Sequence, residues 1–279
     1  MFHTELNMAR LLKLFLSILF LCSALSCDSK REHAEAVYKR AIHYPQGSMM
    51  SLNGIKRATE IDSTYQQAVY ELSVAYLKRG LPHKWKPQYN KAVLLDSVER
   101  IPWRGYLYLW FYRDYKKAIA DFDASDKLTP NFIDQPQGHS VDYWRGIAYL
   151  GLKDYDTSIT YFDKYVKQET EESGEDWVEL TTFLYRGIAY FEKQQYDEAL
   201  INFDKQLQYS RNLSADAKYY KALIAQKQGD LILAKTLIDS AIEDFENGYF
   251  NNRPYVETLR QIYLEDLEAL QLNIETENA

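Results

Sequence analysis

The chain has little glycine (11) and little proline (7) for its 279 residues. All-β sandwiches and barrels turn every few residues and draw on both, so this composition disfavours them. The five histidines, His3, His33, His43, His83 and His139, are dispersed, and none stands at a short metal-binding spacing. There is no glycine-rich phosphate loop and no nucleophile elbow. Carboxylates are numerous, but nearly all fall on expected solvent faces. No catalytic, metal or cofactor constellation emerges, so an enzyme is not expected. A formal charge of −7 without a basic run makes the chain a poor ligand for nucleic acid or for an anionic membrane through charge. No apolar run reaches the roughly 20 residues of a membrane-spanning helix.

The longest apolar run is the 12-residue LFLSILFLCSAL, Leu14–Leu25, preceded by Arg10 and Lys13 and followed by Ser26-Cys27. A short apolar stretch with a basic start and a small-residue end has the layout of a signal peptide. A small residue directly before a cysteine at that point resembles a bacterial lipoprotein signal, with Ser26 and Ala24 at the small positions. The resemblance implies removal of residues 1–26, a tether over 27–33, and acyl chains (palmitate among them) on Cys27. Two or more chains give stable anchoring where one gives marginal binding. The implied location is the bacterial cell envelope, at the outer membrane. The remaining chain would hold 31 Lys+Arg and 39 Asp+Glu, a formal charge of −8. Cys27 would be its only cysteine, which excludes a disulfide framework and a thiolate metal site.

What the chain does contain is repetition. The pentapeptide RGIAY occurs at Arg145–Tyr149 and again at Arg186–Tyr190, 41 residues later. In that register Tyr155 falls over Tyr196, Ser158 over Ala199 and Phe162 over Phe203. Small and apolar residues recur at helical spacing on both sides of a polar break, so each repeat reads as helix, tight turn, helix. The register continues downstream through Ala222, Gly229 and Ile238, and upstream through Tyr115, Ala118 and Phe122 to Ser73, Gly80 and Ala92. A degenerate first copy carries Ala41, Ile55 and Ala58. A single pair cannot bury its apolar faces, so the pairs must stack.

These six copies over residues 34–246 resemble the tetratricopeptide repeat, a unit of 34 residues. The Gly146/Tyr149, Ala118/Phe122 and Pro130 positions carry the pattern, with Arg145 and Arg186 before the small residue. The resemblance implies an all-α, right-handed superhelical solenoid. Two long steps place surface insertions at Asn131–Ser140 and Glu169–Asp176. After the break NGYFNN, the stripe Tyr255, Leu259, Ile262, Tyr263, Leu267 and Leu270 predicts a capping helix over 253–272, with Pro254 in its first turn. A frayed tail, 273–279, follows.

Stacked pairs line one face with their first helices. Tyr70, Trp103, Arg104, Trp110, Tyr143, Trp144, Tyr185, Tyr219 and Tyr220 fall on that face. Tyrosine, tryptophan and arginine dominate interface energetics, so these nine form the expected partner-binding set. Trp110, Trp144 and Tyr185 are its anchors. The asparagine and lysine pattern with which some family members clamp a peptide carboxylate is not evident. The expected role is a membrane-anchored scaffold for an unidentified protein or peptide partner, in outer-membrane protein assembly or secretion. The alternative is a glycan-binding envelope module that uses the same rings.

Overall fold

The structure is a computed structural model that describes residues 29–278. The expected signal peptide and Cys27 lie outside the described residues. Thirteen α-helices and no strand form among them. These are α1 (29–41), α2 (Met49–Ile61), α3 (Gln66–Lys78), α4 (Pro82–Leu95), α5 (Ser97–Phe111), α6 (Tyr115–Leu128), α7 (Val141–Gly151), α8 (Tyr155–Glu172), α9 (Thr181–Glu192), α10 (Tyr196–Tyr209), α11 (Ala215–Lys227), α12 (Leu231–Glu246) and α13 (Leu264–Glu277). The fold is all-α, as the spacing predicts, and α1 to α12 form the six helix pairs of the repeat. The chain divides into two compact units, with the boundary between Arg100 and Ile101, inside α5.

In the N-terminal unit Ala41, Ile55, Ala58, Ala68 and Leu72 form one core, with Tyr38 over them. Helices α1 and α2 approach so closely at Gly54 that a Cβ there would lie 2.5 Å from that of Ala41. Trp85 and Tyr89 are buried in the second pair. Tyr70 belongs to this unit, where Arg100 stacks over its ring at 4.0 Å and Tyr89 meets it edge-on.

In five of the six pairs the turn from first to second helix is closed in one way. Gly80, Arg113, Lys153, Gln194 and Gly229 take left-handed φ angles of 49–81°. The next N–H then reaches back into the helix just ended: Leu81 to the Tyr76 carbonyl at 2.9 Å, and Asp154, Gln195 and Asp230 to Tyr149, Tyr190 and Ala225 at 3.0 Å. This satisfies carbonyls that the helix end leaves open. Asp114, Asp154 and Asp230 next accept the N–H three residues on, which caps the second helix.

In the C-terminal unit the same pairing recurs in three consecutive repeats. A Cβ added to Gly105, Gly146 or Gly187 would lie 2.6 Å from the ring of Phe122, Phe162 or Phe203 respectively. All three rings are fully buried. Each phenyl contributes roughly 1.5–3 kcal/mol by burial, and only glycine on the facing helix leaves it room. Before Gly146 and Gly187, and before Ala222 in the sixth repeat, the basic residue points instead to the preceding repeat, whereas Arg104 before Gly105 bonds Asp121 within its own pair. Arg145 meets Asp123 at 3.3 Å and Asp126 at 2.5 Å, Arg186 meets Asp163 at 2.5 Å, and Lys221 meets Asp204. RGIAY is therefore written twice because its glycine admits the ring within a pair while its arginine ties that pair to the one before. Asp163 and Asp204 remain partly exposed within these ties.

The insertions differ from simple loops. The first folds back as a 3-10 turn, Pro136–Gly138, and its Asp134 is buried, accepting from Ser125 and from Thr129 at 2.6 Å. The second extends α8 to Glu172 before the chain turns at Gly174.

The end of the chain departs further. Residues 253–263 are not helical, and α13 begins at Leu264. Tyr255 and Arg260 take φ angles of 74° and 59°, which break helical continuity. Arg253, Glu257 and Arg260 here are held by residues far away in the chain, so tertiary contacts override the local pattern. Tyr255 and Tyr263 are exposed rather than in an apolar stripe, while Ile262, Leu267 and Leu270 are buried. From Leu264 onward the expected cap is formed: α13 covers Ala222, Ala234, Ile238 and Ala241. It runs on through buried Ile274 to Glu277, and the Gln226–Glu277 and Lys235–Glu275 contacts hold the stretch that the sequence reads as frayed.

Candidate functional site

Within the C-terminal unit the first helices α5, α7, α9 and α11 present a face, and the chain's own residues 249–263 lie across it. Contacts along its length fix this strap. The Ala215 N–H donates to the Tyr249 carbonyl at 2.8 Å, and the Asn251 N–H donates to Asp216 Oδ2 at 2.7 Å. Asn251 Nδ2 donates to the Tyr185 hydroxyl at 2.9 Å. Arg253 then enters a cage of three rings. Its Cζ lies 4.4 Å from the ring centre of Trp110, 5.5 Å from Trp144 and 5.6 Å from Tyr106, and its Nη2 donates to Tyr106 Oη at 2.7 Å. Beyond it, Arg113 pairs with Glu257 at 3.1 Å, and Arg260 with Glu192 at 2.8 Å.

The nine residues expected on this face separate. Trp110, Tyr143, Trp144 and Tyr185 are together, all at most 4% exposed. Trp144 donates from Nε1 to the Pro136 carbonyl at 2.9 Å, and Tyr106, Tyr143 and His139 ring it at 4.6–5.3 Å. Tyr143 shares its hydroxyl with Thr181 at 2.5 Å. Tyr220 is buried one repeat further on, stacked on Phe203. Tyr219 packs half-buried on the terminal core. Trp103 meets Tyr106 edge-on, and Arg104 is committed to Asp121 through two bonds of 2.7–2.8 Å. Tyr70 lies in the other compact unit. The residues taken as open anchors are therefore packed. Trp110, Tyr143, Trp144, Tyr185 and Tyr220 offer no exposed ring face on which a sugar could stack.

Sequence reasoning missed Tyr106, Asn251, Arg253 and Asp216. Tyr106 carried a signal, since it is aromatic where RGIAY has isoleucine. Asn251 and Arg253 lie in the polar break before an apolar stripe, which reads as a linker.

Electrostatics sharpen the picture. Burial pushes the Asp216 carboxyl up to about 6, against the pull of the N–H groups that donate to it. Burial raises the Tyr143 and Tyr185 phenols well above their ordinary value. Burial lowers the His139 imidazole, and Arg253 pushes it the same way while Glu179 opposes. Trp110 Nε1 is buried without an acceptor among the described residues. No group of three or more candidate metal ligands occurs among the described residues, and no helix there is long and apolar enough to cross a membrane.

The family model for the tetratricopeptide repeat matches residues 143–170, which is α7, its turn and most of α8. That pair matches the tetratricopeptide repeat in sequence. Solved tetratricopeptide-like structures extend the likeness over most of the chain. PilW, a widely conserved type IV pilus biogenesis factor, is 15% identical, with a TM-score of 0.60 over 85% of this chain and 97% of that one. Pseudomonas aeruginosa pilF is 17% identical, with a TM-score of 0.57 over 79% of this chain and 98% of that one. MamA of Desulfovibrio magneticus RS-1 is 18% identical, with a TM-score of 0.53 over 65% of this chain and 96% of that one. At these identities the likeness is one of fold. No curated protein matches the chain in sequence.

Proposed function

We propose that this chain is a non-enzymatic interaction scaffold, anchored in the bacterial envelope through acyl groups on Cys27, whose first-helix face in repeats three to six captures an extended segment of a partner protein. The observation that carries the reading is the strap itself. Non-helical polypeptide already lies on that face, held by main-chain bonds to Asp216 and Ala215 and by a caged arginine. A face that binds one such segment has the chemistry to bind another. The fold shared with a type IV pilus biogenesis factor supports a role in assembling envelope structures.

In-cell photo-crosslinking tests this reading. A photoreactive residue replaces Tyr255, which is 75% exposed on the strap, or Ile201, 59% exposed on the second helix α10. A discrete adduct with an envelope protein is expected from position 255 and not from 201. Cys27→Ser should abolish palmitate labelling and release the protein from membranes. Equal, diffuse crosslinking from both positions would contradict the scaffold, and persistent labelling of Cys27→Ser would contradict the anchor.

A further inference from the structure

The strap makes two kinds of contact. One is sequence-independent: the Tyr249 carbonyl and the Asn251 N–H are held as any extended backbone would be. The other is specific. Tyr106, Trp110 and Trp144 surround a guanidinium and bond to it. A planar guanidinium can stack on an indole and donate in its own plane at once, whereas a lysine ammonium is a point charge that can do only part of this.

The strap is also an imperfect occupant. The buried Trp110 indole N–H is left without an acceptor among the described residues, although groups so placed are nearly always paired. The turn next to the caged arginine holds Tyr255, a bulky residue, at a left-handed φ of 74°. Beside residues 250–252 an open cleft of about 270 Å³ runs to Leu180, Gln206 and Leu213. A separate segment would be free of the connection to α13 that forces that turn.

We propose that residues 249–263 hold the place of the partner, and that the partner presents an extended segment whose arginine enters the Tyr106–Trp110–Trp144 cage in exchange for Arg253. The inference rests on the scaffold reading and names both the partner's chemistry and the step that limits its binding. While the strap occupies the face, the apparent affinity is reduced by the fraction of molecules in which it is open.

Two synthetic peptides serve as probes: one with the sequence of residues 248–262, and the same peptide with alanine for arginine at the cage position. Full-length Arg253→Ala, checked for helicity and melting, should bind the arginine peptide at least about tenfold more tightly than wild type. It should bind the alanine peptide at least about tenfold more weakly than the arginine peptide. In unmodified protein, excess arginine peptide should speed hydrogen exchange at the Asn251 amide of the displaced strap, and the alanine peptide should not. This second measurement decides the matter even where Arg253→Ala is too unstable to use. Equal affinity for the two peptides, or amide exchange indifferent to the arginine peptide, overturns the proposal. An adduct at position 255 together with either of those results leaves the scaffold standing and removes only the arginine exchange.

Discussion

The guanidinium of Arg253 stands 4.4 Å over the ring of Trp110, although 143 positions separate the two in sequence. Trp144 and Tyr106 close the cage, and Tyr106 accepts a bond of 2.7 Å. A desolvated cation–ring contact is worth about 2 kcal/mol, and a hydrogen bond from a charged donor contributes comparably. Arg253→Ala should therefore cost about 2–4 kcal/mol. That lowers the melting temperature by several degrees without unfolding the chain at 25 °C. Arg253→Lys should recover part of the loss. Thermal unfolding of the three proteins checks this ranking.

Trp144→Ala should be far more disruptive than a surface anchor would be. The side chain is fully buried and bonded to the Pro136 carbonyl. Removing such a ring typically costs about 3–5 kcal/mol. An anchor open to a partner could be removed with little change in melting; the burial of Trp144 reverses that expectation. Calorimetry of Trp144→Ala should show a strongly lowered transition.

Gly187 and Phe203 should behave as one element. A Cβ at Gly187 would sit 2.6 Å from the ring, so Gly187→Ala should cost roughly 1–3 kcal/mol by overpacking. Phe203→Leu costs by leaving a void. Combined, the two should cost less than their sum, since the smaller side chain relieves the clash. A double-mutant cycle by urea denaturation measures the coupling. Strict additivity would mean that the two residues do not meet.

Asp216 should give stability a pH dependence of unusual sign. Its folded pKa, about 6, lies above the usual carboxylate value of 3.8, so the folded state binds the proton more tightly than the unfolded state. The group therefore favours folding most below about pH 4, and that advantage is lost as pH rises through about 6. At neutral pH its charge opposes folding by roughly 3 kcal/mol. Asp216→Asn removes the charge and keeps one acceptor for the Asn251 N–H. Melting of mutant relative to wild type should improve steadily from pH 4 to pH 7. Asp62 and Glu175, whose pKa values are lowered, slope the other way in both proteins and cancel in the difference. A mutant-minus-wild-type difference that is flat in pH would contradict the assignment.

The helices were legible in the sequence because the repeat sets them locally. In repeats three to five glycine faces phenylalanine within the pair, and the left-handed turn residue lies close by in sequence. Periodicity reports such contacts. The strap was not legible, because what fixes it lies far away in the chain. Pro254 and the stripe after it are compatible with a helix, and contacts with distant residues, the cage around Arg253, Arg113 on Glu257 and Glu192 on Arg260, hold them in a non-helical path instead. The nine face residues show the same limit. Helical register places Tyr143, Trp144 and Tyr185 on the first helices correctly. It carries no sign that Arg253 and Asn251 will cover them.

The most direct test of the account is the cage itself in solution. With Arg253 and tryptophan side chains selectively labelled, nuclear magnetic resonance should show Overhauser contacts between the Arg253 δ and ε protons and the Trp110 indole. Those arginine protons should also be shifted upfield by the rings around them, and both signals should vanish in Trp110→Leu. Arginine protons at ordinary positions, with no contact to either indole, would show that the strap does not lie on the first-helix face and would contradict the account.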